Sequence, residues 1–312
     1  MLCKTCKTSC QKWGKDRRGN QRFYCLNCKK SILEPRPKPL EEMRLPMDRA
    51  LMVLRVLTEG NSVRATERIT DTHRDTVLAL LVKVGSKCER LFGDKLRNIP
   101  VKDVQVDEIW GFVGKKQKAL QPGDNPTFGD VYTFVALEKT SKLVLNFTLG
   151  RRDQLSTNAF IEGLRLATSR QAFQLSADGF PGYPSAVENT LSDRVDFAQI
   201  IKVYRASPEG ERRYSPAEVV STERVPVIGN PDPKRICTSH IERQNLTMRM
   251  HIRRLTRLTN GYSKKFDNLW AALCLYFAHY NFCRVHSSLR VTPAMESGIT
   301  DHVWSLEELI SV

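Results

Sequence analysis

The sequence predicts an α/β protein in which helices flank a mixed β-sheet, preceded by a small cysteine-bearing module and a short helical domain. Three observations carry this. The first 28 residues hold two Cys-x-x-Cys pairs, apolar residues recur at helical spacing from Met47 to about Phe92, and beyond Pro100 the period shortens to two before strand and helix patterns alternate. A chain of 312 residues has room for two or three domains of roughly 100–200 residues each.

Residues 1–35 contain Cys3-x-x-Cys6, eighteen intervening residues and Cys25-x-x-Cys28. Each pair can bend into a tight turn and present two thiolates to one tetrahedral Zn²⁺, which stabilises a segment too short for a core of its own. A zinc ribbon with Cys3, Cys6, Cys25 and Cys28 as ligands is expected, and Cys10 falls outside the paired spacing. Lysines and arginines are interleaved there with Trp13, Phe23 and Tyr24, a composition suited to phosphate contact and base stacking.

Three prolines in Pro35-Arg-Pro-Lys-Pro39 mark residues 36–46 as a semi-rigid linker. Residues 47–98 then read as a helix-turn-helix domain. Ala50, Leu51, Leu54 and Leu57 mark a first helix that stops at Gly60, Ser62 is placed to cap a second, and the turn Thr70–His73 leads into a third with Val77, Leu80, Leu81 and Val84 inward. The third helix would offer Thr72, His73, Arg74 and Asp75 to a DNA major groove.

Residues 99–296 hold the sheet. Strands are expected over 104–113, 131–137 and 143–149, the last two joined as a hairpin. A helix capped by Ser156 follows over 156–169, then a strand over 173–177 running into Asp178-Gly-Phe-Pro-Gly182, a helix near 184–190 and a strand near 198–203. This is the order of an RNase H-like fold with a mixed sheet. Residues 204–237 lose all period and hold five prolines, so they read as an insertion or mobile loop; helical spacing returns at His240 and runs, with a break near Asn260-Gly261, to about His286. Residues 297–312 form a tail.

Charge and hydropathy narrow the function. Residues 1–100 carry 22 Lys and Arg against 11 Asp and Glu, residues 234–290 carry 11 against 2, and the net charge of +15 leaves the rest acidic. Two basic zones around an acidic middle are the footprint of a polyphosphate partner. The sequence shows no bilayer-length apolar run and no signal-peptide core, so a cytoplasmic location without a membrane partner is expected. Nine cysteines without a secretory signal argue against a disulfide framework.

Three carboxylates stand where phosphodiester chemistry would need them. Asp107 interrupts an otherwise apolar strand, which is costly unless it meets a cation. Asp178 ends a strand, where α/β sheets place ligands. Glu242 lies on a wheel beside a buried face of Ile241, Met248, Ile252 and Leu255, with Asn245, Arg249 and Arg253 in the adjoining sector and Arg243, Arg254 and Arg257 beyond. Glu108 is expected on the opposite face of its strand and is the weaker candidate. His240 reads as a helix-start residue, and Asp193 and Asp196 stand next in line should Asp178 not serve.

The chain resembles the DDE transposases with an RNase H-like catalytic domain, specifically the insertion-sequence-one family. The likeness rests on the zinc-ribbon and helix-turn-helix start, on Val106-Asp-Glu-Ile-Trp-Gly-Phe-Val113, on Ile241-Glu-Arg-Gln-Asn-Leu246 followed by Arg253-Arg-Leu-Thr-Arg257, and on Tyr280-Asn281, Arg284, His286 and Thr292-Pro-Ala294. It implies a transposase that binds the terminal inverted repeats of a bacterial insertion sequence and catalyses strand cleavage and strand transfer. Asp107, Asp178 and Glu242 would hold Mg²⁺ or Mn²⁺, and Arg74, Arg249, Arg253, Arg254 and Arg257 would contact DNA. Double-stranded DNA at element ends and target is the implied partner, and holding two ends at once implies at least a dimer. The rival readings are a structure-selective RNase H-like nuclease, and a DNA-binding regulator whose catalytic domain has decayed.

Overall fold

The computed structural model describes residues 1–17, 19, 21–33, 39–40, 42–204 and 219–312. Of the expected linker, residues 36–38 and 41 lie outside the described residues, as do residues 205–218 of the expected loop 204–237 and Arg18 among the basic residues of the first module. The chain divides into two compact units, residues 1–42 and residues 43–310.

The first unit is a three-stranded antiparallel sheet, β1 (Gln11–Lys15), β2 (Gln21–Cys25) and β3 (Lys30–Leu33), in that order. Alternation along β2 buries Phe23 and Cys25, which pack with Cys3 and Cys10. Each Cys-x-x-Cys pair sits in a turn whose following residue is left-handed, Lys7 at φ 60° and Lys29 at φ 52°.

The second unit begins with α1 (Met47–Thr58), α2 (Val63–Thr70) and α3 (Arg74–Lys95). The Ser62 hydroxyl accepts the Ala65 N–H at 3.1 Å and so caps α2. Asp71, left-handed at φ 47°, ends that helix, and His73 Nδ1 accepts the Asp75 N–H at 3.3 Å to start α3.

The sheet has six strands in the order β6-β5-β4-β7-β8-β9: β4 (Asp103–Val113), β5 (Gly129–Glu138), β6 (Val144–Gly150), β7 (Phe173–Asp178), β8 (Val195–Tyr204) and β9 (Val219–Ile228). β4, β5 and β6 are antiparallel neighbours; β7 and β8 run parallel to β4, connected through α4 (Gln154–Ala167) and α5 (Gly182–Leu191). This is the expected mixed sheet with flanking helices. Two local readings change. The N-cap of α4 is Asp153, whose carboxylate accepts the Ser156 N–H at 2.8 Å, so Ser156 lies inside the first turn. Residues 219–228, expected as loop, form β9, antiparallel to β8. Nearly all of β9 is exposed, so it carries no buried face and no alternation to read.

The remaining helices are α6 (Ser239–His251), α7 (Phe266–Ala278), α8 (Pro293–Glu296) and α9 (Leu306–Ser311). The expected continuous helix breaks earlier than Asn260: α6 ends at His251, Ile252 is extended, and Arg253–Leu255 form a single 3₁₀ turn. Arg249 Nη1 donates to the Leu255 carbonyl at 3.0 Å and Thr256 Oγ1 to the Arg249 carbonyl at 2.8 Å, so side chains satisfy the backbone where the helix stops. The fold-back buries both Ile252 and Leu255, the latter over Gly111 of β4, where a Cβ would stand 3.1 Å from the leucine methyl.

α3 packs along α7. Gly85 makes this approach close, since a Cβ there would lie 2.6 Å from the Cα of Ala271. The helices of residues 47–95 therefore belong to the same compact unit as the sheet. Beyond α7 a π-helical turn, His279–Cys283, buries Asn281 against the edge strand. Its side chain accepts the Val144 N–H at 3.0 Å and donates to the Val144 carbonyl at 2.9 Å, as a neighbouring strand would. No described helix is long and apolar enough to cross a membrane.

Candidate active site

The register of the sheet brings two of the three expected carboxylates together. β4 and β7 run parallel with Val106 opposite Ala177, so Asp107 falls beside Asp178 where β7 ends. A third group joins them. One carboxylate oxygen each from Asp107, Glu108 and Asp178 lies within 4.8 Å of the others. Glu108, the weaker candidate, does face α5 as alternation requires, yet β7 stops at Asp178 and leaves a notch where its longer side chain meets the two aspartates.

Each carboxylate is held from a different element. Asn245 of α6 donates Nδ2 to Asp107 Oδ2 at 2.8 Å, and the Glu108 N–H reaches Asp107 Oδ1 at 2.8 Å. The start of α6 is set from β4 itself, because Gln105 Oε1 accepts the N–H groups of His240 and Ile241, both at 3.0 Å. Asp178 Oδ1 accepts the Phe180 N–H at 3.1 Å, while Gln199 of β8 donates to the carbonyls of Asp178 and Phe180 at 2.8 and 3.0 Å. Glu108, with a side chain only 3% exposed, pairs with Arg152 at 2.7 Å and accepts the Tyr183 hydroxyl at 3.0 Å.

Burial, then the charges of Asp178 and Glu108, push the Asp107 carboxyl from 3.8 up to about 7. Burial also raises Asp178 and Glu108, against the opposing pull of Arg152. Three clustered acids of this kind fit a divalent cation. The donors are all oxygen, as Mg²⁺ and Mn²⁺ require, and Asn245 Oδ1 beside them is buried without a hydrogen-bond partner.

A stability consequence follows from the Asp107 shift. Its folded value exceeds its unfolded one, so between about pH 4 and pH 7 the folded chain binds more protons and stability falls as pH rises. With Zn²⁺ as the only divalent cation, Asp107→Asn is expected to be more stable than wild type by about 2–4 kcal/mol at pH 8. The gain should vanish near pH 4. Thermal melts at the two pH values measure it.

Glu242 is near enough for its charge to raise Asp107 and Asp178 further, but its carboxylate is not in the 4.8 Å group. It pairs with Lys202 of β8 and accepts the Thr238 hydroxyl at 2.9 Å. Arg249, half-buried on the same helix, is pushed down to about 10 by burial and by Arg257, against the pull of Asp107. Arg253, Arg254 and Arg257 lie beyond the end of α6 rather than on it, with Arg253 and Arg257 exposed and Arg254 brought to about 10 by burial. Arg74 opens α3 with an exposed side chain. Asp193 pairs with Arg165 at 2.7 Å, and Asp196 accepts the Asn230 N–H at 2.8 Å, so both are engaged elsewhere. His240 Nδ1 lies 3.2 Å from Lys142 Nζ.

In the first unit the four sulfurs of Cys3, Cys6, Cys25 and Cys28 lie within 4.8 Å of one another. The Cys3–Cys28 and Cys6–Cys25 separations are 3.9 and 3.5 Å, and tetrahedral thiolates bonded to Zn²⁺ at about 2.3 Å stand about 3.8 Å apart. The donor set fits zinc.

No family model matches the chain, and no curated protein does. Among solved structures it is similar to the piggyBac transposase synaptic complex with hairpin DNA, at 9% identity and a TM-score of 0.40 over 84% of this chain and 68% of that one. It is also similar to the Mos1 strand transfer complex, at 16% identity and a TM-score of 0.21 over 50% of this chain and 60% of that one. The Mos1 mariner paired end complex with Mn gives 16% identity, a TM-score of 0.21 and coverages of 50% and 61%. The chain thus spans about three fifths of the Mos1 chains it matches.

Proposed function

We propose that this chain is a DDE-type transposase that binds the ends of a bacterial insertion sequence and catalyses metal-dependent strand cleavage and strand transfer. The observation that carries the reading is the convergence of Asp107, Glu108 and Asp178 at the notch where β7 ends. The arginine-rich segment after α6 supports it, since a phosphate backbone would be gripped there. A pair of bound Mg²⁺ or Mn²⁺ ions would supply charge stabilisation at the attacking and leaving oxygens. Asp107 and Asp178 would hold them, with Asn245 fixing the orientation of Asp107.

Glu242 is the third ligand in this reading. Lys202 supplies the positive charge beside it in the structure, and its side chain, 44% exposed, lies open to a change of partner. Glu108 acts differently: with Arg152 on Oε1 and Tyr183 on Oε2, it orients the notch and anchors Arg152. Glu242→Gln is therefore expected to abolish cleavage, whereas Glu108→Gln should slow it by about 10- to 100-fold, as loss of a supporting group around a metal site does. The reverse ranking would make Glu108 the third ligand.

Element-end recognition is assigned to α2, α3 and the zinc-binding module. In that arrangement Arg74, Thr72 and His73 read the major groove as a helix-turn-helix does, and Arg249, Arg253, Arg254 and Arg257 hold backbone phosphates. At least two copies act together on paired ends, in the cytoplasm, where the DNA is. The test incubates the full chain and Mg²⁺ with labelled DNA taken from either side of its own coding region, and follows 3′-hydroxyl release and joining. Specific nicking at repeated end sequences followed by joining supports the reading; cutting without joining makes the chain a nuclease.

A further inference from the structure

We infer that the free end of β4 is a stacking surface for unpaired bases of the DNA strand next to the carboxylate cluster, an inference that rests on the DNA-cutting reading above. β7 pairs with β4 only as far as Val106, and β4 runs on to Val113, about 23 Å further at the usual rise per residue. On the face that carries Glu108, alternation places Trp110 and Phe112, with Tyr132 of β5 directly opposite Trp110. The chain around Tyr262 runs beside this projecting end: Val113 bridges to Ser263, and the Gly114 N–H donates to the Ser263 carbonyl at 2.9 Å. Tyr262 is thereby brought 4.6 Å from Phe112, whose ring centre lies 5.8 Å from that of Trp110. The three rings are tilted by 32° and 36° from one to the next, a row of inclined aromatic rings.

Two features separate this row from ordinary core. Phe134 and Phe160, which pack together deeper in the sheet, are fully buried, whereas Trp110, Phe112, Tyr132 and Tyr262 are each half-buried. Cations also flank the row. Lys116 Nζ stands 5.8 and 5.7 Å from the ring centres of Trp110 and Phe112. Its turn is fixed by Gly114 at φ 66°, folded over the Phe128 ring, and by the Lys115–Asp124 pair at 2.6 Å. Toward the carboxylates, the Arg152 guanidinium lies 5.8 Å from Tyr132. Ring faces for bases and cations for phosphates are what single-stranded nucleic acid requires. A paired base hides its faces in the stack, so the occupant is an unpaired one. Ring faces alone read no base edge, so the site is tolerant of sequence.

The test measures fluorescence anisotropy of the full chain with Ca²⁺ on two labelled DNAs of equal length and arbitrary sequence, a full duplex and a fork with one unpaired arm. Wild type is expected to prefer the fork. Trp110→Ala with Phe112→Ala should weaken fork binding by about 10-fold or more and leave duplex binding unchanged. Trp110→Phe, which keeps a ring, should retain the preference but lose the tryptophan quenching that fork binding is expected to cause in wild type. Equal wild-type affinity for both DNAs, or a double variant that weakens both alike or neither, would overturn the inference; the last is the behaviour of a protein-docking face. The assay reads binding alone, without cleavage, so failure of the cutting chemistry and failure of the stacking surface are read separately.

Discussion

Asp107→Asn and Asp178→Asn are each expected to stop the proposed metal-dependent strand cleavage while leaving DNA binding near the wild-type level. The loss should exceed the roughly 10²- to 10³-fold that follows removal of one electrostatic stabiliser, because neighbouring carboxylates act as a unit on shared ions. The asparagine variants keep the shape of the notch; at position 107 the new amide N–H can be accepted by Asn245 Oδ1 once the Asn245 amide turns over, so a charge is lost with little change in volume. Mn²⁺ is expected to support the wild-type reaction as Mg²⁺ does, and Ca²⁺ to support binding without efficient cleavage. Gel analysis of labelled end DNA, with binding followed in parallel by anisotropy, separates chemistry from affinity.

Cys6→Ser combined with Cys25→Ser should release zinc and unfold residues 1–33 without melting the second unit. Among its described residues the first unit buries a small cluster around Cys3, Cys10, Phe23 and Cys25, too few side chains to hold a fold of that size. Structural zinc sites supply about 10–16 kcal/mol of apparent binding free energy at pH 7, which is the scale of what the double variant forfeits. Metal analysis should read one zinc per wild-type chain and none in the variant. Thermal melting of the larger unit should be unchanged, since its core lies in residues 43–310.

Sequence pattern revealed the parts of this fold that have a wet side and a dry side. β4 alternates over ten residues, α3 shows its apolar stripe, and the Cys-x-x-Cys pairs have a spacing that few other chemistries need. β9 stayed hidden because an edge strand exposed on both faces imposes no apolar period, although Val219, Val220, Val225, Val227 and Ile228 had the β-branched composition that marks strands. The end of α6 is not legible in the sequence because Ile252 and Leu255 keep a helical interval while being buried by a fold-back that lays Leu255 over Gly111. A wheel cannot distinguish those two geometries.

The candidate site was legible in the same uneven way. Asp107 and Asp178 could be read one at a time, as a charge in an apolar strand and a carboxylate at a strand end. Their meeting depends on the parallel register of β4 and β7, which only the structure displays. Alternation places Glu108 on the face opposite Asp107, and the structure keeps it there. What the rule omits is strand length: once β7 ends, opposite faces of β4 share an open rim. Adjacent acids followed by further strand residues, as in Asp107-Glu108-Ile109-Trp110, are the signal that such a rim carries two carboxylates. The engagement of Glu242 by Lys202 has no counterpart in helix spacing, because β8 and α6 are 40 residues apart at this pair.

The most direct test of the metal-holding notch is a Mn²⁺ titration of the zinc-loaded chain followed by electron paramagnetic resonance. Wild type should deplete the free Mn²⁺ signal, while Asp107→Asn and Asp178→Asn should leave it as in buffer and remain folded. Equal depletion by wild type and both variants would contradict the account, because the notch between β4 and β7 would then not be where the metal is held.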